Sequence, residues 1–384
     1  MDTINILMLG GRRCGKTTVL SAMYREIGKI LAGTGMGLDV ADNKTRAELV
    51  RAAQIIEENI KKFSVPLTRI EINDNPTGAR RSYAFSLSVE KGGSIPFHIH
   101  DIPGEWLTDP QQEGNLRGLI RQCQVILIAI DTPYLFAKTT GKGYGRYHEE
   151  YNKPLEIANF FKNSLSLEEI RERMVLFVPI KCERYYNLEH TPQLNIFNRE
   201  YMRELMDVIS AGYKDLLQYL RSPELAGSCT LAITPILSAG GIDFVRFRKD
   251  EETGRMIALY QEPEFLPKEQ QGYHPRFCEQ PMLYALAFIL IQSMRAKTGK
   301  NTMYQQVANR MGGSPQQIFT ALDTIQKKMK RNEGILPQDG YFIIQNPVNV
   351  YIEKPVCKED LPCLSDRFGL RKKKKKRKSG KKSR

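Results

Sequence analysis

The run Ile4-Asn5-Ile6-Leu7-Met8-Leu9 is apolar at all but one position and closes on Gly10. Such a run, bounded by glycine, predicts a strand buried in a parallel sheet. From Thr18 to Tyr24 apolar residues recur at helical spacing, so a helix follows the glycine-bearing turn. Residues 42–63 predict a charged amphipathic helix with Leu49, Ala52, Ala53, Ile56 and Ile60 on one face. Tyr83 to Val89 alternates with period two, and Ile95 to His100 follows across Gly92-Gly93, which predicts a hairpin. Val125 to Ile130, Val175 to Ile180 and Cys229 to Leu237 read as further buried strands, with helices over 154–173 and 195–221 between them. Residues 33–37, 73–78 and 139–145 read as a flexible break, a turn-rich loop and a glycine-rich loop. Residues 242–275 read as an irregular insertion, and 280–297 as a strongly apolar helix that packs back on the sheet. The alternation predicts an α/β fold: a mostly parallel sheet with helices on both faces and one antiparallel hairpin. Ligands in such sheets bind outside the carboxyl ends of the strands. The segments ending at Gly10, Asp101, Asp131, Lys181 and Ser238 belong there.

The turn after the first strand, Gly10-Gly11-Arg12-Arg13-Cys14-Gly15-Lys16-Thr17, fits G-x-x-x-x-G-K-[ST] at every fixed position. Its strand–loop–helix context is that of a phosphate-binding loop, as in the P-loop NTPase fold. Gly10 and Gly15 allow backbone angles closed to other residues, so successive N–H groups, including those of Arg13, Cys14 and Thr18, can converge on a phosphate. The helix that follows adds its positive end. Lys16 can reach the β- and γ-phosphates, and the Thr17 hydroxyl can ligate Mg²⁺. Gly141-Lys142 and Gly299-Lys300 do not repeat this context.

Composition narrows the class. The chain has 384 residues, room for one large domain or two of ordinary size. Its longest apolar stretch, Leu283 to Ile291, is too short to span a bilayer. The N-terminal apolar run belongs to the phosphate loop and offers no cleavage site, which argues against a signal peptide. Seven scattered cysteines, an odd number, suggest reduced thiols and a cytoplasmic protein. Cys357 and Cys363 have no further Cys or His at ligand spacing, so a metal site there is not expected. The net charge of +14 is concentrated: residues 371–384 carry eleven Lys and Arg and no acid, leaving a body of about +3.

Asp101-Ile102-Pro103-Gly104 stands at a predicted strand end. Alone, an Asp there is a common turn former. Downstream of a phosphate loop, its carboxylate can hold Mg²⁺ through water, and the Gly104 N–H can bond a γ-phosphate that hydrolysis removes, which makes a switch. With Gly10 to Thr17 and Asp101 to Glu105, the chain resembles the Ras-like GTPases of the TRAFAC class over roughly residues 4–300. The wording Asp-x-x-Gly-Glu also resembles bacterial proteins of the double-GTPase type, although this chain holds one phosphate loop. The resemblance implies a nucleotide switch that binds and slowly hydrolyses GTP with Mg²⁺. It makes Asn75-Pro76-Thr77 the switch I loop, with Thr77 joining Thr17 and Asp101 at the metal and Thr68 as a competing candidate. It makes Gly104 the γ-phosphate sensor and puts Glu105 where the family often has the glutamine that orients water. The base-reading N/T-K-x-D appears as Ile180-Lys181-Cys182-Glu183, with Lys181 covering the base and Glu183 accepting from its edge. Ser238-Ala239 matches the short motif whose backbone N–H reads the guanine oxygen.

The domain plan is then a GTPase-like domain over 1–300, a small extension over 301–355 and a basic tail over 356–384. Tyr304 to Met311, Gly312-Gly313-Ser314-Pro315 and a helix to Lys330 read as helix–turn–helix, a winged helix or a helical extension docked on the sheet. The tail cannot fold on itself. It is either a solvated end or an arm for nucleic acid or an anionic membrane. GTP/GDP and a protein effector are the partners the resemblance implies. A nucleotide-binding scaffold with negligible turnover, a generic P-loop ATPase and a small-molecule kinase are the other readings; the D-x-x-G pattern disfavours the last.

Overall fold

The computed structural model describes residues 3–31, 36–61, 80–89, 93–137, 147–170, 173–183, 199–224, 229–251, 254–261, 272–295 and 303–310. The strands of its main sheet are β1 (Ile4–Leu9), β2 (Met36–Val40), β3 (Arg81–Val89), β4 (Ser94–Asp101), β5 (Val125–Asp131), β6 (Met174–Ile180) and β7 (Thr230–Ile233). Their order is β2-β3-β4-β1-β5-β6-β7. From β4 to β7 all neighbours are parallel. β2 and β3 are added antiparallel at one side. Every residue of β5, β6 and β7 is buried, as their unbroken apolar runs require when helices cover both faces.

The helices are α1 (Lys16–Leu31), α2 (Asn43–Lys61), α3 (Glu113–Gln122), α4 (Thr132–Phe136), α5 (Pro154–Ser164), α6 (Leu167–Ile170), α7 (Arg199–Gly212), α8 (Lys214–Leu220), α9 (Gln280–Arg295) and α10 (Met303–Arg310). One group packs α1 against α2 and α9, and the other packs α5 against α3 and α8. The apolar face of α2 works as its spacing predicts: Leu49, Ile56 and Ile60 are buried. α9 lies in the core against α1 and β6, and α10 packs on α9. The Gly93 N–H donates to the Arg310 carbonyl, tying α10 to the start of β4.

Several expected elements change. Of the flexible break over 33–37, the described residues Met36 and Gly37 are strand. Met36, Leu38 and Val40 alternate inward and pair with β3, and the two glycines nearby masked that period of two. The single helix over 154–173 is two. Ser166 starts α6 with a reciprocal cap, its N–H donating to Glu169 Oε2 at 2.8 Å and its Oγ accepting from Glu169 N–H. The described part of 195–221 divides at Tyr213 into α7 and α8. The strand over 229–237 is regular only to Ile233, although Thr234 and Ile236 still donate to β6 carbonyls. The irregular insertion over 242–275 contains a hairpin, β9 (Asp243–Lys249) with β10 (Met256–Gln261), and a short β11 (Gly272–Tyr273) paired with β8 (Gly240–Gly241). Thr68, Thr77, the glycine-rich loop at 139–145, both Gly-Lys pairs, residues 311–355 and the basic tail lie outside the described residues.

Asn5, the one polar residue in the β1 run, has a partner across the sheet. Its Oδ1 lies 3.0 Å from Nε2 of His100 on β4. Nδ1 of His100 faces Ser82 Oγ at 3.0 Å and the Arg80 guanidinium at 3.3 Å, so it accepts, and Nε2–H donates to Asn5. Burial, with help from Arg80, lowers this imidazole from 6.5 to about 4. Its folded value lies below its unfolded one, so stability is fully present above 6.5 and is lost as pH falls toward 4. Acid titration of unfolding free energy should show the native protein losing on the order of 2 kcal/mol more than His100→Gln across this window.

Candidate nucleotide site

The parallel register places Met8 beside Asp101 and carries β1 and β4 to the same edge of the sheet. There the loop Gly10 to Gly15 turns into α1. Gly10 and Gly15 have φ of 151° and 106°, and Arg13 also has a left-handed φ of 59°. A Cβ on Gly10 would come within 2.8 Å of the Ala129 carbonyl oxygen, so glycine is required for packing as well as for conformation. Lys16 is buried; its Nζ crosses the loop to the carbonyls of Gly10, at 3.1 Å, and Gly11, at 3.0 Å. Cys14 is buried beside it, and burial pushes its thiol up, away from the reactive thiolate.

Thr17 and Asp101, 84 positions apart in sequence, meet: Thr17 Oγ1 donates to Asp101 Oδ2 at 2.7 Å. Both supply the hard oxygen donors that Mg²⁺ takes alongside phosphate. Among the described residues no group of three or more His, Cys, Asp or Glu could hold a metal alone. A Mg²⁺ shared with a nucleotide needs no such group, so the donor set fits the ion; Thr77 lies outside the described residues.

After Asp101 the chain enters a short helical turn, Gly104–Thr108. Gly104 sits directly on the phosphate loop. A Cβ there would lie 2.3 Å from the Arg12 amide nitrogen and 2.4 Å from the Gly11 carbonyl carbon. Glu105 follows, and its Oε1 pairs with Arg12 Nε at 2.5 Å. Trp106 is partly buried against the core beside them.

At the ends of β5 and β6 the structure joins residues that the sequence left separate. Lys181 has a left-handed φ of 58° and its Nζ donates to Asp131 Oδ2 at 2.6 Å. Burial alone would depress this ammonium; Asp131, with the nearby Tyr260 and Tyr134, carries it well above its ordinary value. Asp131 is buried, and Asn152 fixes its backbone through bonds to both its N–H and its carbonyl. Glu183 is 2 % exposed. Its Oε1 accepts from the amides of Ala239, at 2.7 Å, and Gly240, at 3.2 Å, and from Ser238 Oγ at 3.4 Å. Its Oε2 has no hydrogen-bond partner among the described residues. Burial raises this carboxyl above its ordinary value even though the two amides favour the charged form.

The insertion supplies the remaining wall. Thr18, Lys181, Glu183 and Ala239 line one cleft with Ala258 and Tyr260 of β10. Two hydroxyls pin that strand: Tyr134 donates to the Met256 carbonyl, and Tyr151 accepts from the Met256 N–H, both at 2.7 Å. Tyr134 stacks between Tyr151, at 4.2 Å, and Phe247 of β9, at 4.9 Å. Sequence reasoning placed Asp131 at the sheet edge but gave it no task, and it missed Asn152, Tyr134, Tyr151 and β10. The continuous apolar run Met256 to Tyr260 was the available signal for β10; nothing local marks the other residues.

Residues 4–183 match the family model described as Double-GTPase 2, a little under half of the chain. The match supports a P-loop GTPase of the double-GTPase branch, and the mostly parallel seven-stranded sheet is that of a P-loop NTPase. No curated protein matches the chain. Among the described residues, no helix is long and apolar enough to cross a membrane.

Because the Gly104 Cα faces the loop backbone so closely, Gly104→Ala should push the two apart. The expected result is a loss of nucleotide affinity with a change in unfolding midpoint of less than a few degrees, read by titration calorimetry and thermal melting.

Proposed function

We propose that this protein is a cytoplasmic switch that binds GTP with Mg²⁺ and hydrolyses it slowly. The observation that carries the reading is the Thr17–Asp101 hydrogen bond, which brings the phosphate loop and the Asp-x-x-Gly turn together around one point. In this reading Lys16 and the amides of residues 11–17 hold the phosphates, Thr17, Asp101 and Thr77 hold Mg²⁺, and Gly104 senses the γ-phosphate. The ion bridges phosphate oxygens and offsets their charge. Glu105 orients the attacking water. The five described cysteines are all buried thiols, in keeping with a reducing compartment.

Guanine is the base this cleft favours. With Oε1 of Glu183 held by two amides, Oε2 remains to accept from the donor edge of guanine. Adenine has no such donor pair there and would leave a buried acceptor unpaired. The Ala239 amide is already engaged by Glu183, so selectivity rests on the carboxylate, with Lys181 alongside. A second reading, a nucleotide-binding scaffold with negligible turnover, is favoured by the Arg12 salt bridge that occupies Glu105. Multiple-turnover phosphate release separates the two. The basic residues 371–384 would tether either form to nucleic acid or an anionic surface.

Lys16→Ala should abolish nucleotide binding or hydrolysis while unfolding stays cooperative; unchanged affinity would exclude the phosphate-loop role. Glu183→Ala should lower GTP affinity more than ATP affinity. Since only the ionised Glu183 accepts from both guanine donors, native GTP affinity should also fall as pH drops through its raised carboxyl value, and Glu183→Gln should flatten that profile. Tight ATP binding indifferent to residue 183 would make the protein a generic P-loop ATPase. Deleting residues 371–384 should remove most of the salt dependence of binding to nucleic acid or anionic vesicles; a slope that survives would place the basic surface in the body.

A further inference from the structure

Arg12 fills a variable position of the phosphate loop, yet its side chain reaches the one residue expected to handle water. Arg12 Nε lies 2.5 Å from Glu105 Oε1, with both side chains 43 % exposed. The backbone beneath it is fixed on two sides. A Cβ on Gly11 would stand 1.7 Å from the Tyr151 carbonyl oxygen, and Gly104 lies against the Arg12 amide. The Arg12 side chain thus leaves a closely packed backbone. It borders both the nucleotide cleft and a second opening that Gly104, Glu105 and Tyr151 share. Arg13, next in the chain, turns its backbone through the left-handed region at φ 59°.

We propose that Arg12 is a catalytic arginine supplied in cis, which neutralises Glu105 before the triphosphate arrives and then donates to the γ-phosphoryl oxygens in the transition state. The proposal rests on the GTP reading above. A carboxylate beside a γ-phosphate adds like charge; a guanidinium that touches both offsets it. Its planar fork matches two phosphate oxygens better than an ammonium does. As Arg12 shifts to the phosphate, Glu105 is released to orient water. The water oxygen bonds to the γ-phosphorus while the bond to the β,γ-bridging oxygen breaks, and that electron pair stays on GDP. The water proton passes to the Glu105 carboxylate and then to the released phosphate. No reductant, oxidant or second protein enters the step.

The test uses the full chain with Mg²⁺. In single-turnover GTP hydrolysis Arg12→Ala should be slower by about 10³-fold or more, with GTP affinity retained, and Arg12→Lys should recover part of the rate. GDP with aluminium fluoride, which mimics the transferring phosphoryl group, should bind the native protein without any partner and change Trp106 emission. Arg12→Ala should bind GDP but not the fluoride. Equal hydrolysis rates in native protein and Arg12→Ala would overturn the proposal and leave the GTPase reading standing. So would a fluoride complex that Arg12→Ala forms equally well, or one the native protein cannot form while binding GTP. Failure of the native protein to bind either guanine nucleotide would overturn the GTPase reading itself, and Arg12 with it.

Discussion

The site depends on one contact, Thr17 Oγ1 to Asp101 Oδ2. It joins the first turn of α1 to the end of β4, and it exists because β1 and β4 are parallel neighbours in a register that sets Met8 against Asp101. Two strands in that arrangement end at the same edge, so whatever follows each must share the space beyond it. Gly104 can then lie against the loop backbone, where any side chain would collide. The loop Gly10 to Gly15 and the turn that follows Asp101 become one surface through this register.

Charge is distributed over that surface in buried or half-buried pairs. Lys181 and Asp131 form a pair inside the protein, where leaving either alone would be costly. Arg12 and Glu105 form one that is still reached by solvent and can be exchanged at little cost. Glu183 is the exception. Among the described residues it has no cation within salt-bridge range and relies on two backbone amides and the Ser238 hydroxyl, with one oxygen left over. A buried acceptor left over in this way is expensive in an isolated protein and useful in a receptor.

The wall that closes the cleft with Lys181 and Glu183 is built from a distance. β10 comes from the insertion after β7, and Tyr134 and Tyr151 from the segments after β5 hold it through Met256. The family match ends at Glu183, so β10 lies beyond the matched residues and the two tyrosines that hold it lie within them. Lys16, Thr17 and Asp101 also lie within the matched residues.

The sequence by itself determined the central sheet and the phosphate half. Buried parallel strands must be continuously apolar, and a phosphate loop needs glycine at Gly10 and Gly15 and a lysine at residue 16, so both leave local marks. α2, the β3–β4 hairpin and α9 were legible for the same reason: each buries a face at a fixed period. β2 and the β9–β10 hairpin were not, since glycine near β2 and charge within β9 blur a period of two that only pairing completes. Tertiary structure alone decided that Lys181 meets Asp131 across 50 positions, that Glu183 takes the Ala239 amide across 56, and that Arg12 reaches Glu105. None of these has a spacing rule, because each partner arrives on a different strand, and strand order is set by the packing of the whole sheet.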